Sequence, residues 1–248
     1  MPATGMATSA IIMAATRAIT PIEMNALRRR PDAVLVGFLG LILMGLVGPA
    51  ALRELALLPH HATMQALAEG GAMPVDRVAE LGAAVAWAET FSTSDRLERL
   101  SARINKRRFD RPAEVEALRR AARLAPGDSV NWMRLALDLP PGPDAARALR
   151  LSALTNALEY DATPRRVDLG LRLWPYMDDG DKQAFGRLVL ALWRWQTGRL
   201  AMVAARRGGY DQIAPYLKAV SQEDWEHFTR SYAIHRLNPE EPYLHGPP

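Results

Sequence analysis

One stretch of the chain is apolar without interruption, whereas the remainder mixes apolar and polar positions in shorter segments. Residues 33–52 carry no charged side chain. A helix rises ~1.5 Å per residue, so about 20 residues cross the ~30 Å hydrocarbon layer of a bilayer. A helix also satisfies its own backbone polar groups, which lipid cannot do. The pattern therefore predicts one transmembrane helix over 32–58.

Basic residues around this segment indicate its orientation. Three arginines, Arg28 to Arg30, come just before it, and only Arg53 follows closely. Because Lys and Arg are enriched on the cytoplasmic side of membrane helices, we expect the N-terminus inside and the bulk of the chain outside. This predicts a single-pass protein of the bacterial inner membrane, with a disordered cytoplasmic segment over 1–31 and a periplasmic body.

Two other interpretations of the apolar segment stay open. Gly48 and Ala50 are small residues at the spacing of a signal-peptidase site, so a cleaved signal peptide is one alternative. A buried core helix of a soluble protein is the other. The length of the run and the arginines before it favour a retained anchor. Met24 directly precedes the basic segment, and we expect it to be the initiator in place of Met1.

Beyond the apolar segment, apolar positions recur at helical spacing between Pro, Gly and Asp residues. Residues 59–73 contain Pro59 and a Gly-Gly pair, and we expect a juxtamembrane linker there. The pattern predicts an all-α domain over 74–237 and a disordered, Pro-rich tail over 238–248. The expected helices lie near 75–91, 94–107, 112–124, 129–138, 143–159, 164–176, 180–206, 209–219 and 221–236.

Polar residues at the predicted boundaries suit helix caps. Ser94, Asp128 and Thr163 are expected N-caps, because such side chains accept hydrogen bonds from the first turn. Residues 178–181, DDGD, resemble a calcium loop but lack its spaced acidic ligands, so we interpret them as a turn with an N-cap. Pro215 is expected to kink or break its helix.

The longest predicted helix, 180–206, carries an apolar stripe that we expect to face the core. Trp193 falls off this stripe, so it either packs against a neighbouring helix pair or lies on an exposed contact face. Core packing is the favoured interpretation, since Trp is usually largely buried. The stripe contains Phe185, Leu188, Val189, Leu192, Trp195 and Leu200.

Residues 117–126, ALRRAARLAP, resemble the closing helix of a tetratricopeptide repeat. Ala121, Leu124 and Pro126 stand at its A-x-x-L-x-P spacing. A small residue at such a position lets two helices approach closely while larger side chains fill the groove.

The resemblance continues beyond this helix. Trp132 and Leu135 follow where the next repeat begins, and Ala157 stands 36 residues after Ala121 in a second such segment. The nominal repeat is ~34 residues. The resemblance covers about 112–160. It implies stacked helical hairpins, an α-solenoid, with a concave surface for a partner protein.

The amino-acid composition and the motifs exclude several kinds of chemical site. The chain has no cysteine, which excludes disulfides, thiolate metal sites and cysteine nucleophiles. Its net charge of +4 is small for 248 residues, and a periplasmic body argues against a nucleic-acid partner. His60 and His61 are adjacent, so their side chains do not converge on one metal. Phosphate-loop, G-x-S-x-G and H-E-x-x-H motifs are absent from the sequence, and we predict no cofactor, metal or catalytic residue.

The most basic segment, 96–123, has two interpretations. One is a patch for an anionic partner such as acidic polysaccharide or lipid headgroups. The other, which we favour, is a solvated hairpin whose charges pair along the helices, as Asp95 with Arg99 or Glu116 with Arg120. The candidate patch residues are Arg103, Lys106, Arg107, Arg108, Arg111, Arg119 and Arg120.

These expectations favour a non-enzymatic scaffold or adaptor of the cell envelope, anchored in the inner membrane and binding a partner protein. The segment RVDLGLRLW, from Arg166 to Trp174, is loosely similar to anchored accessory factors of exopolysaccharide assembly and export, which implies a role in that process. Two alternatives stay open: an assembly factor or accessory subunit of another inner-membrane complex, and a polysaccharide-active enzyme with unrecognised carboxylates.

Overall fold

A computed structural model describes residues 31–237. These residues form α-helices and two short 3₁₀ turns, and they contain no β-strand. The all-α prediction is therefore confirmed for this part of the chain. Most of the predicted cytoplasmic segment 1–31, and the tail 238–248, lie outside the described residues. Contacts divide the chain into two units that meet between Leu52 and Arg53.

The first unit contains most of helix α1, Pro31–Leu57. Its large apolar side chains are exposed, for example Leu39 at 54% and Met44 at 76%. Pro49 lies inside the helix without ending it. Within the described part of the chain, one helical stretch, Phe38–Ala68, is long and apolar enough to cross a membrane, and it overlaps most of α1. The predicted apolar helix is therefore present.

The segment that follows α1 is helical, which corrects the linker expected over 59–73. It begins with a 3₁₀ turn, Leu58–His60, and continues as helix α2, His61–Ala68. Ala, Leu, Met and Gln dominate this stretch and have good helix propensity. Gly70 then adopts a φ of 77°, a left-handed conformation that glycine reaches without steric cost. The two glycines thus follow the end of a helix, whereas in the sequence they and Pro59 suggest a linker.

Ten further helices follow in the described chain, and most match a predicted segment within a few residues. A second 3₁₀ turn, Trp174–Tyr176, extends the eighth helix. The helices are α3 (Val75–Glu89), α4 (Asp95–Arg107), α5 (Arg111–Leu124), α6 (Ser129–Asp138), α7 (Pro143–Thr155), α8 (Ala162–Leu173), α9 (Asp179–Trp195), α10 (Thr197–Arg207), α11 (Tyr210–Lys218) and α12 (Gln222–Leu237).

Side-chain caps fix several helix starts as predicted. Ser94 and Asp128 each accept a hydrogen bond from a backbone N–H in the first turn of the helix that follows. At the start of α9, Asp178 accepts from the Asp181 N–H at 2.7 Å, while the Asp181 carboxylate accepts from the Asp178 N–H at 3.2 Å. This reciprocal capping box satisfies two donors that the helix itself leaves unpaired, so the acidic turn serves to start a helix.

Three boundary predictions need correction. Thr163 lies inside α8, where its hydroxyl donates to the Glu159 carbonyl at 2.6 Å instead of capping the helix. The single helix expected over 180–206 is broken at Gln196, whose φ of −148° and ψ of 63° are not helical. Pro215 lies inside α11, so the helix is not broken there, and a kink at this residue stays a prediction.

Trp193 and Trp195 of α9 have opposite environments. Trp193 is buried as predicted, and its indole N–H donates to Asp224 Oδ1 at 2.7 Å. Trp195 is 56% exposed, so its assignment to the core stripe is wrong. The break at Gln196 ends the periodicity from which that assignment follows. The other stripe residues are all buried: Phe185, Leu188, Val189, Leu192 and Leu200.

Buried side chains form two clusters. The smaller cluster runs from the end of α1 to α4 and includes Leu81 and Leu97. The larger one runs from α4 to α12 and includes Phe185 and Phe228. The principal helix contacts join helices that are one or two positions apart in the chain. The body is therefore assembled from sequential neighbours.

Helices α8 and α9 approach closely at Gly170. A side chain at this position would overlap the ring of Phe185. That ring makes edge contacts with Trp174 and Tyr216, at centroid distances of 5.6 and 6.1 Å. Because Phe185 is held from several sides, the absence of a Cβ at Gly170 is a packing requirement.

The residues that carry the tetratricopeptide resemblance occupy different environments. The Trp132 indole donates to the Pro126 carbonyl at 2.8 Å across the α5–α6 turn. Leu124, at the end of α5, is 47% exposed. Ala157 lies beyond the end of α7 and is only partly buried. Ala121 and Leu135 are buried, and Trp132 is half-buried.

Candidate functional site

Most of the candidate basic patch is paired within the body. Lys106 lies 3.0 Å from Asp138 and 3.4 Å from Glu114, which is buried. These contacts tie α4 to α5 and to the end of α6. Three more members also have partners: Arg107 with the Gly71 carbonyl, Arg111 with the Asp138 carbonyl, and Arg119 with Glu116.

One of the two ion pairs expected along the helices forms. Asp95 and Arg99 are 3.0 Å apart. Glu116 does not pair with Arg120, because Arg120 Nε donates instead to the buried carboxylate of Glu98 at 2.8 Å. Arg120 therefore pairs with a carboxylate on α4 in place of the expected pair within α5.

Arg108 lies at the turn between α4 and α5, next to Phe109. Phe109 is 95% exposed and has a φ of 58°, which is rare for a bulky residue. Arg107 and Arg111 flank the same turn and are exposed. This turn thus presents an aromatic ring among basic side chains to solvent.

A cleft of about 500 Å³ opens on the body beside the basic segment; we term it the arginine cleft. Helix α4 contributes Arg96, Arg99 and Arg103, and α6 contributes Arg134. Asp128 is the one carboxylate among the described residues that line it. Apolar side chains complete much of the wall: Leu57, Met64, Ala68, Leu97, Leu100 and Val130.

Arg99 is neutralised by its neighbours. Its guanidinium lies 3.0 Å from Asp95 and 2.6 Å from Asp128, and it donates to Asn131 Oδ1 at 3.2 Å. These contacts join α4 to the start of α6. Arg99 is therefore a structural clamp at the edge of the arginine cleft.

Arg103 and Arg134 have a different environment. Both are half-buried, and neither makes a hydrogen bond or ion pair with any described residue. Burial lowers the pKa of Arg103, and the charge of Arg99 lowers it further. Burial also lowers the pKa of Arg134, and the charges of Arg103 and Arg99 lower it further, whereas the charges of Asp128 and Asp138 oppose that shift. The cleft thus holds two guanidinium groups that make no direct ion pair, although Asp128 and Asp138 act on Arg134 at longer range.

Leu158, Tyr160 and Trp195 form a second distinctive surface, which we term the Trp195 patch. Their exposed fractions are 57%, 57% and 56%. The three side chains line one shallow depression. The α7–α8 loop supplies the first two, and the end of α9 supplies the third. Exposed apolar clusters that contain Trp and Tyr are typical of protein-binding surfaces.

The segment Arg166 to Trp174 packs α8 into the core. Arg166 is fully buried, and its guanidinium donates to Glu159 Oε2 at 2.7 Å. Burial lowers the pKa of Arg166, while the charge of Glu159 opposes that shift. The Ser129 hydroxyl donates to the same carboxylate at 3.2 Å, so these groups fix the α7–α8 loop to α6. The residues behind the likeness to export factors therefore serve packing in this chain.

Two other carboxylates, Glu89 and Asp224, have perturbed or hydrogen-bonded environments. Burial and the charge of Glu98 both raise the pKa of Glu89. Asp224 accepts hydrogen bonds from Trp193 and Ser221, so it fixes the start of α12. Within residues 31–237, no three His, Cys, Asp or Glu side chains are grouped so as to hold a metal ion.

No protein-family model matches the chain, and comparisons with curated proteins and with solved structures also give no match. Its function is therefore inferred from its own surfaces. Sequence patterns indicate neither Arg134 as a member of the basic surface nor the Trp195 patch. Both depend on which helices meet in the fold.

Proposed function

We propose that this protein is a non-enzymatic scaffold or adaptor of the bacterial cell envelope. Helix α1 holds it in the inner membrane with its N-terminus in the cytoplasm, and the periplasmic helical body binds a partner protein. The observation that carries the proposal is the exposure of apolar side chains at two places, along α1 and at the Trp195 patch. Contact with lipid or with another protein would remove each of these apolar surfaces from water.

The apolar face of α1 supports the membrane anchor. Its exposed leucines, valines and Phe38 would each lose roughly 1.5 to 3 kcal/mol of burial free energy in water. Lipid removes that cost, and the helix satisfies its own backbone groups. Three arginines before the segment support the cytoplasmic N-terminus.

The Trp195 patch supports a protein partner. Tyr and Trp are enriched among the residues that contribute most to protein–protein affinity, because they bury a large area with few rotatable bonds. The patch is rigidly supported, since Glu159 between Leu158 and Tyr160 is held by buried Arg166 at 2.7 Å. An ordered apolar surface of this kind loses little entropy on binding.

Exopolysaccharide assembly or export is the specific process that we propose, on the likeness of residues 166–174 and on the combination of anchor and helical body. Because those residues pack the core, assembly of another inner-membrane complex is the alternative. The identity of the partner separates the two: a polysaccharide synthesis or export component on one hand, a subunit of another complex on the other.

Site-specific photo-crosslinking in native membranes tests the proposal. A photoreactive residue at Tyr160 should yield one discrete crosslinked product, because Tyr160 lies within the patch that we expect the partner to contact. The matched control is a photoreactive residue at Val75, which is 82% exposed and distant in sequence. Trp195→Ser should abolish the Tyr160 crosslink. Equal products from both positions, or only intramolecular products, would contradict the proposal.

Orientation is tested separately. Alkaline phosphatase fused after Pro248 should be active, because that enzyme requires the periplasm, while a cytoplasmic reporter at the same place should be silent. The reverse pattern would contradict the periplasmic body.

A further inference from the structure

The arginine cleft combines a cavity with two guanidinium groups that make no direct ion pair in the described chain. Of its four arginines, Arg99 is held between two aspartates, at 3.0 and 2.6 Å. Arg96 lies 3.7 Å from Glu54, and its side chain is 64% exposed. Arg103 and Arg134 make no hydrogen bond or ion pair with a described residue, and Asp128 and Asp138 attract Arg134 only at longer range. The donors of these two side chains are therefore the ones available to a ligand.

The two unpaired arginines come from different helices and face one cavity. Arg103 lies near the end of α4, and Arg134 lies in the middle of α6. Like charges in a partly desolvated site repel each other more strongly than in water, so this arrangement is unfavourable when the cleft holds only solvent. A bound anion converts the repulsion into attraction. Protein-internal pairing explains the other basic residues of α4, but it does not explain these two.

We propose that the arginine cleft binds a phosphate group, with the guanidinium groups of Arg103 and Arg134 as its principal ligands. Two guanidinium groups match the charge of a phosphate monoester, and their planar forks match the geometry of its oxygens. A cavity of about 500 Å³ is ample for a phosphate with a substituent attached. The inference does not depend on the Trp195 patch or on a protein partner.

Apolar side chains also line the cleft and include Leu57, Met64 and Leu100. Leu57 and Met64 follow the apolar segment closely in sequence. A phosphate carried by an apolar chain, as in a lipid headgroup, would therefore contact both the arginines and the apolar side chains. A soluble phosphate or phosphomonoester would use the arginines alone. The two sources share one chemistry, and they differ in what the apolar side chains contribute.

Binding measurements on the full chain in a neutral detergent test this inference. The probes are inorganic phosphate, followed by isothermal titration calorimetry, and short-chain phosphatidic acid, followed by native mass spectrometry with phosphatidylcholine as the reference lipid. Arg103→Gln with Arg134→Gln should weaken binding about 10- to 100-fold, because charged hydrogen bonds are lost. Arg103→Lys with Arg134→Lys should give an intermediate loss, since charge remains without the fork geometry.

The matched control is Arg119→Gln with Arg123→Gln. It removes the same charge from residues that pair with Glu116 outside the cleft, at 3.6 and 3.2 Å. This variant should bind both probes within about two-fold of the original chain, because screened surface charges contribute little. An equal loss in both double variants would mean that net charge alone attracts the anion, and it would overturn the assignment.

The remaining outcomes distinguish the sources or reject the site. Binding of both probes supports a phosphate site that needs no lipid tail. Binding of phosphatidic acid alone supports a lipid phosphate. Binding of neither probe overturns the inference. The Gln double variant should also melt at the same temperature as the original chain or higher, because a repulsion is removed. A marked fall in melting temperature would identify Arg103 and Arg134 as structural residues instead.

Discussion

Helices α1 and α9 are both rich in large apolar residues, yet they occupy opposite environments. In α9, Phe185, Leu188 and Leu192 are at most 2% exposed, and polar residues cover the other face. In α1, the large apolar residues from Leu35 to Leu55 lie on all faces and are more than two-fifths exposed, and only Leu57 at the end of the helix is buried in the body. Hydrophobic content alone does not separate the two helices. The arrangement of polar residues around each helix does.

The two helices therefore require different surroundings. A one-sided stripe buries itself against neighbouring helices, as α9 does against α7, α8 and α10. A helix that is apolar all round gains little from one-sided packing and is suited to lipid.

The largest effect should come from charge inside α1. Leu43→Arg with Leu46→Arg adds about 5 to 7 kcal/mol to the cost of membrane insertion, since each central Arg costs about 2.5 to 3.5 kcal/mol. We expect the variant to be recovered in the alkaline-wash supernatant or degraded, whereas the original chain stays with the membranes. Leu55→Arg, beyond the apolar segment on the same helix, is the control and should leave the distribution unchanged. Equal membrane retention of all three proteins would contradict a lipid-embedded α1.

A cavity in the α9 stripe should have the next largest effect. Leu188 is fully buried, so Leu188→Ala should lower the free energy of unfolding of the body by about 2 to 5 kcal/mol. Trp195→Ala, on the exposed side of the same helix, should change it by less than about 0.5 kcal/mol. Urea titrations followed by circular dichroism measure both. Similar losses for the two variants would mean that Trp195 also packs in the core.

The smallest effect should come from the close contact between α8 and α9 at Gly170. Gly170→Ala should destabilise the body by about 1 to 3 kcal/mol, because the added methyl group overlaps the Phe185 ring. Gly198→Ala, in open space at the start of α10, is the same substitution without an obstacle. It should be neutral or slightly stabilising, because alanine has the better helix propensity. Thermal melts of both variants provide the measurement, and a neutral Gly170→Ala would show that α8 and α9 can separate at little cost.

Much of the helical framework could be predicted from the sequence because its boundaries carry local signals. Ser94, Asp128 and Asp178 are polar caps that act within a few residues of themselves, so spacing suffices to find them. The break at Gln196 has no such signal, and the helical stripe continues past it in the sequence. Helix α2 is missed for the opposite reason. Pro59 and the two glycines suggest a linker, although a helix lies between them.

The candidate sites could be predicted far less completely. The basic segment is evident from the sequence, but which cations remain unpaired depends on partners in other helices. Lys106 finds Asp138 on α6, and Arg120 finds Glu98 on α4. Arg134 joins the arginine cleft only because α6 lies near α4. Likewise, Tyr160 and Trp195 are separated along the chain and meet only after α7, α8 and α9 have packed.

The sequential packing of the body also has consequences for how the chain acquires its shape. Because each helix mainly touches those one or two positions away, folding closes only short loops and loses little chain entropy before contacts form. Proteins with such local contacts fold quickly, so the body can form in order as its helices become available.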